Sequence, residues 1–265
     1  GLVVDTVNRE VFVVSTGNDA IVVYSGKADG DAAPLRIISG LLTGLSAPTC
    51  IALDMLNNEL FVGNSRNNSI TVYARNAEGN TTPLRTIAGP LSGIGSLKGI
   101  AFDAAHDELL VSNMHYHTND IKPTPPTSEI RAFDKSANGN VAPLRIISTG
   151  FSSIEGIAVD STRNEIFVAN DTYQAIDVFD RTASGDALPL RRIAGDATGI
   201  FGPTGLALDI ENNEIFVANC LHFLTDDYAV SIYERTASGN SAPLRTISGR
   251  PTGINFPGGI ALSIP

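Results

Sequence analysis

The sequence has no tryptophan, only two cysteines and two methionines, and aromatic residues fill 6% of its 265 positions. Two cysteines cannot staple a disulfide framework, so the fold must rest on burial, and they leave the redox compartment open. Charge is sparse as well: charged residues make up 17%, lysine is scarce, and the formal net charge is −10. A thinly charged, acidic surface argues against nucleic acid and against anionic membranes as partners. No window of 18 apolar residues exists, so no helix of the chain can span a bilayer. No segment shows a helical period, and no nucleophile elbow, phosphate loop, dinucleotide fingerprint or haem-attachment motif is present. The chain opens at Gly1 without a methionine and reads as processed or trimmed.

What is present is repetition. The segment Asn-Glu-Ile-Phe-Val-Ala-Asn occurs at 164–170 and again at 213–219, with relatives at 58–64, 107–113 and 9–15. Pro-Leu-Arg occurs five times, ending at Arg36, Arg85, Arg145, Arg191 and Arg245. An Ile-x-Val-aromatic run closes at Tyr24, Tyr73, Phe133, Phe179 and Tyr233. A Gly-Ile-Ala-x-Asp run closes at Asp54, Asp103, Asp160 and Asp209, with weaker copies ending at Asp5 and Ser263. Each unit of about 50 residues therefore holds four short apolar runs, here a (GIAxD), b (NEIFVAN), c (IxVY) and d (PLRxI). Their length and their β-branched and aromatic content predict strands, and Asp, Asn, Ser and Gly at the joints supply turn chemistry.

Near-continuous apolar strands imply that both faces of each sheet are covered. A four-stranded sheet cannot cover itself, so neighbouring units must stack, and radial stacking is the β-propeller solution. The expected fold is all-β: a propeller domain over 1–265 of four-stranded antiparallel blades. The repeats fall at approximately 1–49, 50–98, 99–155, 156–204 and 205–258, with a terminal closing strand at 259–265. Strands b, c and d occur five times and strand a six times, which leaves two rings open. A six-bladed ring would pair the last a-strand with strands upstream of Gly1. A five-bladed ring would seat 259–263 in an inner slot and displace 1–5.

The units resemble the NHL and YVTN class of propeller repeats, on the strength of GIAxD, NEIFVAN and the IxV-aromatic strand over essentially the whole chain. That resemblance implies the fold, and it carries an expectation of extracytoplasmic placement: periplasmic, secreted or at the cell surface. The segment ASGxxAPLRxIxG is longer than the usual link of that class and is this chain's own signature.

Residues that recur in every unit are expected to be structural. Glu10, Glu59, Glu108, Glu165 and Glu214 share one position, and the five Pro-Leu-Arg arginines share another, so a Glu–Arg network repeated per blade is predicted. The recurrent Asp is expected to cap the a–b turn through its side chain.

Function is expected where the symmetry breaks. From the end of strand b to the aromatic of strand c is 9 residues in units 1, 2 and 4 (Ser15 to Tyr24, Asn64 to Tyr73, Asn170 to Phe179). It is 20 in unit 3 (Asn113 to Phe133) and 14 in unit 5 (Asn219 to Tyr233). The b–c and d–a loops of a propeller share one face, so both insertions reshape the same face. The first reading is a non-enzymatic binding or assembly module. Its partner-binding residues are His115, Tyr116, His117, Asp120 and Pro125 in unit 3 and His222, Phe223, Asp226 and Asp227 in unit 5. The partner is a protein or an assembly, or a small-molecule ligand. A second reading places zinc or copper among His115, His117, Cys220 and His222, ligand types that suit those ions. Cys50, standing where other units have the Gly of GIAxD, could alternatively pair with Cys220 as a disulfide. A third reading takes Glu155, Asn170 and Asn113, with Asp171, as a hard-cation site for a divalent ion such as calcium at the channel mouth. That set is similar to the metal centre of gluconolactonase-like propellers, which implies a metal-dependent hydrolase acting on a lactone. Lys98 and Glu155, the charged residues preceding the GIA segments, could simply pair with each other.

Overall fold

The computed structural model describes residues 1–115, 126–220 and 228–263. Twenty strands form five four-stranded antiparallel blades around a channel, and among the described residues helix is limited to three short 3-10 turns. Blade 1 is β1 (Leu2–Asp5), β2 (Glu10–Ser15), β3 (Ala20–Ser25) and β4 (Arg36–Ser39). Blade 2 is β5 (Pro48–Asp54), β6 (Glu59–Asn64), β7 (Ser69–Ala74) and β8 (Arg85–Ala88). Blade 3 is β9 (Ser96–Asp103), β10 (Glu108–His115), β11 (Thr127–Asp134) and β12 (Arg145–Phe151). Blade 4 is β13 (Ile154–Asp160), β14 (Glu165–Asn170), β15 (Ala175–Asp180) and β17 (Arg191–Ile193), and a two-residue β16 (Gly185–Asp186) precedes its last strand. Blade 5 is β18 (Pro203–Asp209), β19 (Glu214–Asn219), β20 (Ala229–Glu234) and β21 (Arg245–Ser248). Each blade is paired in simple a-b-c-d order, so the predicted strands and their sequence are those observed.

The turn residues act as their chemistry dictates. Asp54 Oδ1 accepts the amides of Leu56 and Asn57 at 3.0 Å each, and Asn57 Nδ2 donates to Asp54 Oδ2 at 2.7 Å. Four residues after each such Asp the backbone turns left-handed, at Arg9, Asn58, Asp107, Asn164 and Asn213, a conformation Asn tolerates best among non-glycine residues. The Glu–Arg network is present in all five blades as two-pronged pairs: Arg36 with Glu10, Arg85 with Glu59, Arg145 with Glu108, Arg191 with Glu165 and Arg245 with Glu214. Four of these guanidinium groups also lie 5.4–5.7 Å from the centre of the b-strand Phe ring of their own blade. Unit 3 has Leu110 at that position instead.

Apolar clusters fill the four junctions between consecutive blades, 1–2, 2–3, 3–4 and 4–5. In each, the d-strand isoleucine of one blade meets the c-strand aromatic of the next: Ile38 with Tyr73, Ile87 with Phe133, Ile147 with Phe179, Ile193 with Tyr233. The signature segment explains itself at the same junctions. Its glycine, in the c–d loop, bridges in parallel to the d-strand of the preceding blade at Ile38–Gly79, Ile87–Gly139, Ile147–Gly185 and Ile193–Gly239. The Asn that follows reaches further back: Asn80, Asn140 and Asn240 each accept a d–a link amide at 2.8 Å. The long link is thus an inter-blade latch.

Residues 1–5 are not displaced, since β1 pairs with β2 as the a-strand of blade 1. The terminal segment occupies a further inner place. Thr204 Oγ1 donates to the Pro257 carbonyl at 2.5 Å, as Thr49 Oγ1 does to Leu97 at 2.8 Å at the junction of blades 2 and 3. The backbone at Gly259 abuts Gly205 on one side and Gly1 on the other. Five blades and a sixth inner segment therefore surround the channel.

Candidate functional site

In each blade the strand order puts the b–c and d–a loops at one end of the sheet. At that end blade 3 departs from the rest. Strands β6, β14 and β19 stop at the b-strand Asn, but β10 runs two residues further, to His115, and β11 starts correspondingly early, at Thr127. His115 faces Thr127 across the extended hairpin. The loop above it, with Tyr116, His117, Asp120 and Pro125, lies outside the described residues, as do His222, Phe223, Asp226 and Asp227 in unit 5.

The hairpin base carries a polar cluster. Glu129 Oε1 accepts from His115 Nε2 at 2.6 Å, from Asn113 Nδ2 at 2.9 Å and from Arg131 Nε at 2.5 Å. Arg131 in turn donates to the Ser92 carbonyl at 2.8 Å. Burial pushes the Glu129 carboxyl up, but the His115 hydrogen bond, the Arg131 charge and the Asn113 amide outweigh it and hold it below the ordinary glutamate range. The cluster therefore holds a charged carboxylate at neutral pH and fixes the imidazole of His115, which is about one third exposed. Glu129 and Arg131 were not singled out from the sequence. They lie beyond the insertion, and the hairpin register sets Glu129 opposite Asn113 and Arg131 opposite Val111, within reach of His115.

A second group lies on the flank of blade 4. Arg192 is held by Asp177 at 2.7 and 3.1 Å and packs over both the Phe151 and Tyr173 rings, which meet edge to face. Tyr173 is itself exposed. Beside it opens a cleft of about 530 Å³ lined by Tyr173, Gln174, Asp196, Ile200 and Phe201. A further cleft of about 450 Å³ runs along blade 3 past Thr127, Glu129, Thr149 and Leu188.

The b-strand asparagines are withdrawn from solvent. Asn64, Asn113, Asn170 and Asn219 are fully buried. Three of them clamp the incoming d–a link, accepting the amides of Ser46 (3.0 Å), Gly95 (2.7 Å) and Phe201 (3.3 Å). Asn170 accepts the Tyr173 amide instead and donates to Asp177 at 2.6 Å. Glu155 is engaged by Lys98 at 3.4 Å and by Ser153 Oγ at 3.1 Å, the pairing expected of the two charged residues before the GIA segments. Among the described residues no group of three or more His, Cys, Asp or Glu is arranged to hold a metal ion. Of the soft-ligand set, His115 is bound to Glu129, and His117 and His222 lie outside the described residues. Cys50 and Cys220 are both free thiols rather than a disulfide. Cys50 is buried, and desolvation pushes its thiol up to about 11, so it stands as a neutral thiol at pH 7.

No protein-family model and no curated protein sequence matches the chain. Solved structures do, at the level of fold. A chain of a nidogen/laminin complex superposes with a TM-score of 0.68 at 17% identity, over 99% of this chain and 84% of that one. A functionally unknown protein from Desulfotomaculum acetoxidans gives 0.60 at 14% identity, over 94% and 67%. The WD40 β-propeller domain of Doa1 gives 0.60 at 13% identity, over 93% and 67%. These likenesses, with the five blades above, make the chain a β-propeller.

Proposed function

We propose that the chain is a non-catalytic docking propeller, and that the loop face of blades 3 to 5 holds a protein partner. One observation carries this reading: among the described residues one hairpin, β10–β11, is extended beyond its counterparts and stands on a hydrogen-bonded polar base. At that base Glu129 and Arg131 fix the partly exposed His115, and the exposed Tyr173 packed on Arg192 adds an aromatic anchor, a residue type that dominates binding energy at protein interfaces. Neighbouring clefts give the relief a folded partner needs. The similar propellers of known setting support the reading to the extent that one was solved in a nidogen/laminin complex.

The test replaces residues 114–128 with the four-residue turn of unit 4 (171–174), which spans the same strand pair. A partner retained at one-to-one stoichiometry by the parent, and lost at least tenfold faster by the shortened chain, supports the reading. Retention unchanged by the replacement overturns it.

A further inference from the structure

The junction between blade 5 and blade 1 is unlike the other four. Ile247 of β21 is 49% exposed, whereas its counterparts Ile38, Ile87, Ile147 and Ile193 are at most 1% exposed. Arg245 shows 52% of its side chain against 14–17% for the other four arginines of its position. Those four each donate to a carbonyl of the next blade, at Arg75, Lys135, Arg181 and Arg235, whereas the hydrogen bonds of Arg245 among the described residues go to Glu214 of its own blade. Asp5 and Asp160 pair with arginines of the next blade, Arg75 and Arg235, and Asp209 has no such ion pair among the described residues. On the far side, Tyr24 is only half-buried where the other four c-strand aromatics are fully so.

On the blade 1 side of this junction, against Ser263 of the terminal segment, lies a cleft of about 620 Å³ lined by Val4, Asp5, Val7, Val11 and Gly26. The terminal segment floors it without any β-partner among the described residues. We infer that this cleft is a docking slot for a three-stranded antiparallel β-element of the chain's own b-c-d pattern, which completes a sixth blade on the segment 257–263. The four closed junctions define what the occupant supplies. Its c-strand brings an aromatic to Ile247 and, two residues on, an arginine to Asp209 and a carbonyl to Arg245. Its d-strand brings an isoleucine to Tyr24. Its c–d loop brings a glycine and an Asn to latch 246–249. A single strand would cover neither Ile247 nor Tyr24, and a helix could not pair with 258–263.

The test fuses a copy of residues 58–98, a b-c-d set with Tyr73, Arg75, Gly79, Asn80 and Ile87 at the required places and its own outgoing link, directly ahead of Gly1. Amide exchange is followed by mass spectrometry in the fused and parent chains, with native mass spectrometry for oligomeric state. The slot predicts that exchange at 245–249 and 258–263 slows at least tenfold on fusion, that the melting temperature rises, and that Ile247→Asp in the fused chain reverses both. The inference is overturned if 258–263 exchanges at the parental rate in a fused chain that is otherwise folded. It is equally overturned if the parent is already protected there as a dimer, which would make a second copy the occupant.

Discussion

Cys50 and Gly63 face each other across β5 and β6, the one large where the other blades have glycine and the other small where they have Val14, Ser112, Ala169 or Ala218. The pair exchanges volume across the ladder and leaves the total unchanged, which is the kind of swap a close-packed core accepts. Cys50 is therefore a packing residue.

Restoring only half of that pair should fail. A methyl at Gly63 would lie 2.5 Å from Cys50 Sγ and 3.0 Å from Leu97. Gly63→Ala is expected to cost about 1–3 kcal/mol by overpacking, and adding Cys50→Gly should recover most of it. Chemical denaturation of the three variants checks this, with non-additivity as the signature.

The Glu–Arg pairs set an acid limit. Arg36 holds Glu10, and Arg145 with Arg181 holds Glu108, below the usual glutamate value of 4.5. A carboxyl that titrates lower in the folded chain binds its proton more tightly in the unfolded one. Its contribution is thus complete above pH 4.5 and is lost as the pH falls through the folded value. Glu108→Gln should cost about 1.5–3 kcal/mol at pH 7 and flatten the loss of stability below pH 4.5. Glu214→Gln, at the same motif position but with its arginine half in solvent, should leave stability at pH 7 unresolved from the parent. Urea midpoints between pH 3 and 7 distinguish the two.

The latch makes a similar contrast. Gly89 has φ +111°, and a Cβ there would meet Asn140 Oδ1 at 2.6 Å, whereas at Gly249, with φ +93°, the nearest atom is 3.8 Å away. Gly249→Ala should cost about 1 kcal/mol of backbone strain, and Gly89→Ala that plus a clash worth a further 1–3 kcal/mol. Thermal unfolding of the two variants measures the difference.

Repetition made the fold legible. Strand boundaries, the a-b-c-d order, the Asp-capped turns and the Glu–Arg pairs each occur several times, so local noise averages out. The burial of Asn64, Asn113, Asn170 and Asn219 was not legible, because the group that buries three of them is backbone: the amide of a link 18 residues earlier in sequence. Glu129 was missed for a related reason. Its contact with His115 depends on how far β10 extends, and composition does not set that distance. Cys50, by contrast, was visible as a departure from its repeat, and Gly63 explains it once the two strands are paired.

Metal content separates the docking reading from the hydrolase reading. With Lys98 on Glu155 and Asn170 committed to Asp177, purified chain is expected to retain no stoichiometric calcium, magnesium or manganese. One equivalent of such an ion, lost on Glu155→Gln, would restore the lactone-hydrolase reading. One equivalent of zinc or copper, lost on Cys220→Ser, would restore the soft-ligand site.

The central claim concerns which surface binds, and an amide-exchange footprint of the partner complex measures that directly. Docking on the loop face predicts slowed exchange at 113–131, at 150–155 and at 171–175, with the c–d loops at 26–31, 76–80 and 135–140 unchanged. Protection confined to those c–d loops, or spread around the ring without regard to blade 3, would contradict it.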